Sequence, residues 1–146
     1  MEKRRVEIVD DYGERLATVS VPAESKDFEG AVLEGFCAPG VKTLRGKSFR
    51  RAELYWAMFQ ASDLSECDFE DADLRGANLK DTMLVGANLR NANLGRDNVR
   101  GSTQVHGADL TGAVLHKANL VGATYDGRTK FPERFSPEQA GMVEET

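Results

Sequence analysis

A chain of 146 residues, 40% apolar and 29% charged, has the length and balance of one folded domain, which excludes a collagenous or disordered polypeptide. Its 24 acids outnumber 19 bases for a formal charge of −5, so it lacks the Lys and Arg surplus that sequence-independent binding to nucleic-acid phosphates requires. No stretch approaches a membrane span, no apolar leader follows Met1, and Cys37 and Cys67 are too few for a disulfide framework, so a reducing cytoplasm is the expected location.

The chain divides into three parts. Residues 1–22 contain two alternating runs, Val6–Val9 and Leu16–Val21, joined through Asp10–Glu14, which read as a capping β-hairpin. Residues 23–127 carry an internal repeat, whose N-terminal end the hairpin would close. Residues 128–146 form a capping tail, in which Phe131 and Phe135 offer aromatic cover and Ser136, Pro137 and Gln139 mark the start of a short helix.

The repeat has a period of five, as in Ala72-Asp73-Leu74-Arg75-Gly76 and Ala87-Asn88-Leu89-Arg90-Asn91. Its large apolar centres define the expected core: Leu44, Phe49, Leu54, Phe59, Leu64, Phe69, Leu74, Leu79, Leu84, Leu89, Leu94 and Val99, then Val105, Leu110, Leu115, Leu120 and Tyr125, with Ser102 as one extra residue between the runs. Two residues before each centre a small side chain is preferred, and two residues after it, glycine. Ten of the fourteen glycines occupy that one phase, so each repeat should end in a turn that needs positive φ. A period of five fits neither a helix nor a plain strand. Two inward residues per five describe a short straight side followed by a turn, and four such sides close a coil of about twenty residues.

The A-(D/N)-L-x-x pattern, running almost without interruption through residues 26–127, resembles the pentapeptide repeat family. That resemblance implies an all-β fold, a right-handed quadrilateral β-helix of about five coils, with the N-terminal β-hairpin cap and a short C-terminal tail or helix. Stacking in twenties, with one extra residue at the slip, predicts interior columns Leu44/Leu64/Leu84/Val105/Tyr125, Phe28/Phe49/Phe69/Leu89/Leu110, Leu33/Leu54/Leu74/Leu94/Leu115 and Phe59/Leu79/Val99/Leu120. Outside, Arg50, Glu70 and Arg90 should stack with alternating sign, Arg51 should lie over Asp71, and Asn78, Asn98 and Asn119 should form a polar column.

Catalytic motifs fail on context. Val41-Lys42-Thr43-Leu44-Arg45-Gly46-Lys47-Ser48 would be a phosphate-binding loop only if residue 41 were glycine, and Leu44 belongs to the interior pattern. His106 and His116, two sides apart without a cysteine pair, make no metal site, and Cys67 fills an inward slot. No catalytic residue, metal or cofactor is expected.

The expected function is therefore a non-catalytic scaffold or protein-binding module. The candidate docking residues are the outward Tyr55, Trp56 and Met58 with the acidic cluster Asp63, Glu66, Asp68, Glu70, Asp71 and Asp73. The competing reading of Tyr55 and Trp56 is that the hairpin lies over them. The family resemblance also implies an alternative, a DNA-mimicking inhibitor or protector of a type II topoisomerase such as DNA gyrase. Charge placement opposes it: residues 42–127 hold 11 acids and 11 bases, and the excess sits in residues 1–41 with 9 acids against 5 bases. The expected partner is a protein; no direct contact with nucleic acid or membrane is expected, and the chain should be a monomer or weak dimer.

Overall fold

The computed structural model describes every residue from Met1 to Thr146. Strands β1 (Lys3–Val9) and β2 (Arg15–Pro22) form an antiparallel hairpin with an irregularity between Ile8 and Val9. Ile8 and Val21 are buried against the repeat, and Asp11 Oδ1 accepts the amides of Lys42 and Thr43, at 2.8 and 2.9 Å. The hairpin thus closes the N-terminal end of the core.

From Phe28 onward the backbone pairs with itself in parallel through single residues, and four ladders recur. Val32, Glu53, Asp73, Asn93 and Asn119 form the ladder on the Leu54 side. Cys37, Met58, Asn78, Gln104 and Thr124 form it on the Phe59 side, Asp63, Met83, Asp109 and Lys130 on the Leu64 side, and Ser48, Asp68, Asn88 and Val114 on the Phe69 side. Partners in the middle of the chain are twenty residues apart, as Asp68 is from Asn88, so the chain returns to each ladder after four repeats.

Local chemistry explains this path. In each repeat the amide following the turn donates back to the centre's carbonyl, as Ala57 N does to Leu54 O at 3.0 Å. The third residue of that turn takes positive φ, as a type II turn demands. Gly76 (φ 72) and Gly86 (φ 69) do so without penalty, but Trp56, Glu66 and Asp71 adopt φ of 57 to 61 in the same slot. Where the residue before the centre is Asp or Asn, its side chain caps the turn in eight repeats. Asp63, Asp68, Asp73, Asn78, Asn88, Asn93, Asp109 and Asn119 each accept, at 3.0–3.2 Å, the amide two residues on. Where a hydroxyl replaces alanine in the small slot it donates to the coil below: Thr82 Oγ1 to Phe59 O and Thr103 Oγ1 to Leu74 O, both at 2.9 Å.

The apolar interior is continuous. Every expected centre from Phe49 to Leu94 is at most 1% exposed, and Leu110 and Leu120 are buried at 2% and 5%. Phe28, Phe49 and Phe69 stack at 5.0 and 5.2 Å between ring centroids.

Several expectations are corrected. Val99 is 73% exposed rather than interior, because residues 95–102 leave the coil as a loop. Across it, ladder partners are twenty-six residues apart, as with Asn88 and Val114, so the interruption adds six residues to a coil where one was expected. The later columns shift by one side accordingly. The ladders and their amide bonds stack Leu84 with Leu110, Leu89 with Leu115, Leu94 with Leu120, and Leu79 with Val105 and Tyr125. The polar column is likewise Asn93 with Asn119, joined side chain to side chain at 3.0 Å, and Asn98 belongs to the loop. Of the expected charged stacks, only Arg50 with Glu70 makes an ion pair, at 3.8 Å; Arg51 and Arg90 make none.

The tail forms no helix. Ser136 does accept the Gln139 amide, at 3.3 Å, but Gly141 at φ 78 ends the turn after one cycle. Strand β4 (Val143–Glu144) then pairs in parallel with β3 (Thr124–Tyr125), adding a rung to the Phe59 side.

Candidate protein-docking corner

The Leu54 side ends outward in Tyr55 and, at the turn, Trp56. In the coil above, the corresponding positions are Arg75 and Gly76. Because Gly76 has no side chain, the indole lies across it: a Cβ there would overlap Trp56 Cδ1 and stand 2.8 Å from Nε1. The Arg75 guanidinium sits 5.1 Å from the centroid of the Tyr55 ring and is held by both oxygens of Asp73, its closest contact being 2.6 Å.

The loop of residues 95–102 folds down onto this pair. Trp56 Nε1 donates to Asp97 Oδ2 at 2.6 Å, and the Asn98 amide donates to the Tyr55 hydroxyl at 2.9 Å. The other Asp97 oxygen accepts the amides of Val99 and Gly101, closing the loop on itself. The Trp56 indole N–H, with the Gly101 and Val99 amides and the nearby Arg75 charge, outweighs desolvation and holds the Asp97 carboxyl below the ordinary aspartate range. These bonds pin the loop to the corner, while Arg96, Val99 and Arg100 remain exposed on it.

This loop, and not the hairpin, covers the aromatic pair. Tyr55 is half-buried, while Trp56 and Met58 keep 42% and 40% of their surface. The docking residues read from the sequence are not all brought together. Asp63 lies on the Leu64 ladder, Asp68 on the Phe69 ladder and Asp73 on the Leu54 ladder, so the acidic run wraps around three successive sides. Glu66 pairs with Arg45 at 3.4 Å and Glu70 with Arg50, while Asp71 stands at the turn leading into the Leu54 side. Only Asp71 and Asp73 flank the Tyr55 corner. The loop residues Arg96, Asp97 and Val99 were missed because the five-residue beat places Val99 in phase. The available signal was Asp97, a charged residue in the inward slot where a regular repeat carries alanine or another small side chain.

Cys67, His106 and the segment resembling a phosphate loop are engaged structurally. Burial pushes the Cys67 thiol up to about 12, against the lowering effect of the Lys47 and Gly46 amides, and Sγ donates to Leu44 O at 3.0 Å. His106 Nε2 lies 3.0 Å from Glu145 Oε2, beside the C-terminal strand. Lys42 and Thr43, in the segment resembling a phosphate loop, have their amides engaged by Asp11.

The family model for pentapeptide repeats matches eight copies, over residues 62–96 and 103–124, and the gap falls within the extruded loop. A pentapeptide repeat protein from Nostoc PCC 7120 is 30% identical over 84% of this chain and 88% of that one, with a TM-score of 0.43. A pentapeptide repeat protein from the thylakoid lumen of Arabidopsis thaliana is 33% identical over 69% of this chain and 60% of that one, with a TM-score of 0.46. QnrB1, a plasmid-mediated fluoroquinolone resistance protein, is 18% identical over 82% of this chain and 80% of its own, with a TM-score of 0.41. No protein of curated function matches the sequence.

Proposed function

Since the chain belongs to the pentapeptide repeat family, we propose that it is a right-handed quadrilateral β-helix acting as a non-catalytic scaffold that binds a protein partner. The docking surface is the corner formed by Tyr55, Trp56, Met58 and the loop of residues 95–102, rimmed by Asp71 and Asp73. Asp63, Glu66, Asp68 and Glu70 extend it only for a partner that wraps around the rod. The chain acts in the cytoplasm as a monomer or weak dimer and needs no cofactor.

One observation supports this reading above the rest. A loop that serves only to connect would turn within the coil, whereas this one uses an aspartate, a tryptophan and a tyrosine to fix its root and leaves Val99 exposed between two arginines. Fixing an exposed apolar residue before binding lowers the ordering cost of an interface. Topoisomerase modulation draws no comparable support: Asp63, Asp68 and Asp73 each commit an oxygen to their own turn, and no row of unpaired acids runs along one side.

Affinity capture from host extract, with Val99→Glu and Arg96→Glu beside the parent, tests the proposal. Both variants should lose the same captured protein while melting as the parent does, since both positions are exposed. Undiminished capture by both variants would refute the docking corner.

A further inference from the structure

The last coil is covered on two of its four sides and at the far corner of a third. Lys130 O accepts the Leu110 amide at 2.8 Å on the Leu64 side, and β4 covers the Phe59 side. Gly141 O accepts the Gly122 amide at 2.8 Å at the end of the Leu54 side. The Phe69 side has no such cover. One coil lower on that side, the amides of Leu89 and Asn91 donate to Val114 O and His116 O at 2.8 and 3.1 Å. Their counterparts in the last coil, the amides of Leu115 and Lys117, have no hydrogen-bond partner.

Burial marks the same place. Phe28, Phe49, Phe69 and Leu89, the earlier members of this column, are at most 5% exposed, whereas Leu115 is only half-buried, as is the neighbouring Ala118. Arg90, His116 and Lys117 stand exposed along the outer rim, and none pairs with an acid.

We propose that this open edge at residues 113–118 is a second binding site, which takes an extended acidic segment of a protein partner as an added strand. Two carbonyls of that segment would meet the amides of Leu115 and Lys117, as those of Val114 and His116 meet the coil below. The apolar side chain between them would cover Leu115, and outward acids would face Arg90 and Lys117. Two unpaired donors set the backbone register, the uncovered leucine sets the apolar position, and the unpaired cations set the sign of the charge.

The probe is a blocked pentapeptide, Glu-Asp-Leu-Glu-Glu, titrated into the isotope-labelled full chain and followed by NMR. The amides of Leu115 and Lys117 should shift saturably at millimolar peptide, and a peptide with lysines for the acids should leave them unmoved. Lys117 has φ 57, so Lys117→Gly suits the backbone while removing the charge, and it should weaken binding about 2–5-fold. In the free chain, Leu115 and Lys117 should exchange their amide hydrogens far faster than Leu89 and Asn91. Unmoved amides, an equal response to the lysine peptide, or exchange as slow as at Leu89 would each overturn the proposal.

Discussion

Glycine at position 76 does two things that the same residue at position 46 does once. Both take positive φ, at 72 and 71, which costs a substituted alanine about 1 kcal/mol. At Gly46 nothing lies within reach of an added Cβ, whereas at Gly76 the added methyl meets the Trp56 ring and comes within 3.0 Å of Asp97 Oδ2. Gly46→Ala should therefore cost about 1 kcal/mol in urea unfolding, and Gly76→Ala about 2–4 kcal/mol, because the indole must leave its place. Asp126 supplies a pH test. Desolvation alone would raise its pKa, but the Gly107 amide, the Arg128 side chain and the Arg128 amide outweigh it and hold the carboxyl at about 2. A lowered folded-state pKa stabilises above the ordinary aspartate value and loses that stabilisation as pH falls towards 2. Asp126→Asn should thus unfold more readily than the parent at neutral pH, and the gap should narrow steadily during acid titration through that window. These roles were only partly legible: the glycine phase announced the turns, but the indole crossing Gly76 joins residues whose contact depends on the stacking register.

Among the elements, the loop of residues 95–102 is where sequence pattern and structure part. Val99 keeps the five-residue beat, so the pattern alone draws it inside; hydrogen-bonding competition places it outside. Asp97 finds four donors or charges at the Tyr55 corner, namely the Trp56 indole, two amides of its own loop and Arg75. Inside a regular repeat, with Val99 as its centre, the same carboxylate would fall in the buried small-residue slot without these partners. The hairpin closes the Phe28–Leu44 end of the repeat and does not extend over Trp56, which is left to the loop. Asp97→Ala should release the loop and make Trp56 fluorescence more readily quenched by acrylamide, with unfolding still cooperative. Deleting residues 1–22 should not raise quenching before the fold itself melts. If quenching is unchanged in Asp97→Ala, the loop does not shield the indole.

Across the whole molecule, the sequence displays the repeat because each inward slot faces the same neighbours in every coil, so the same residue types recur. The period, the interior centres up to Leu94 and the closure at the N-terminal end obey that rule. The later register does not, because counting residues cannot separate one inserted residue from six when the loop happens to stay in phase. That register is central, since it places the docking loop outside the coil and leaves Leu115 at an open edge. Engineered disulfides in a Cys37→Ser background test it most directly. Parallel ladder partners lie about 4.8 Å apart, within disulfide reach. Asn88→Cys combined with Val114→Cys should cross-link on mild oxidation, whereas Asn88→Cys combined with Asp109→Cys, partners only if a single residue were inserted, should remain reduced. Efficient cross-linking of the second pair and not the first would contradict the extruded loop, the docking corner and the open edge together.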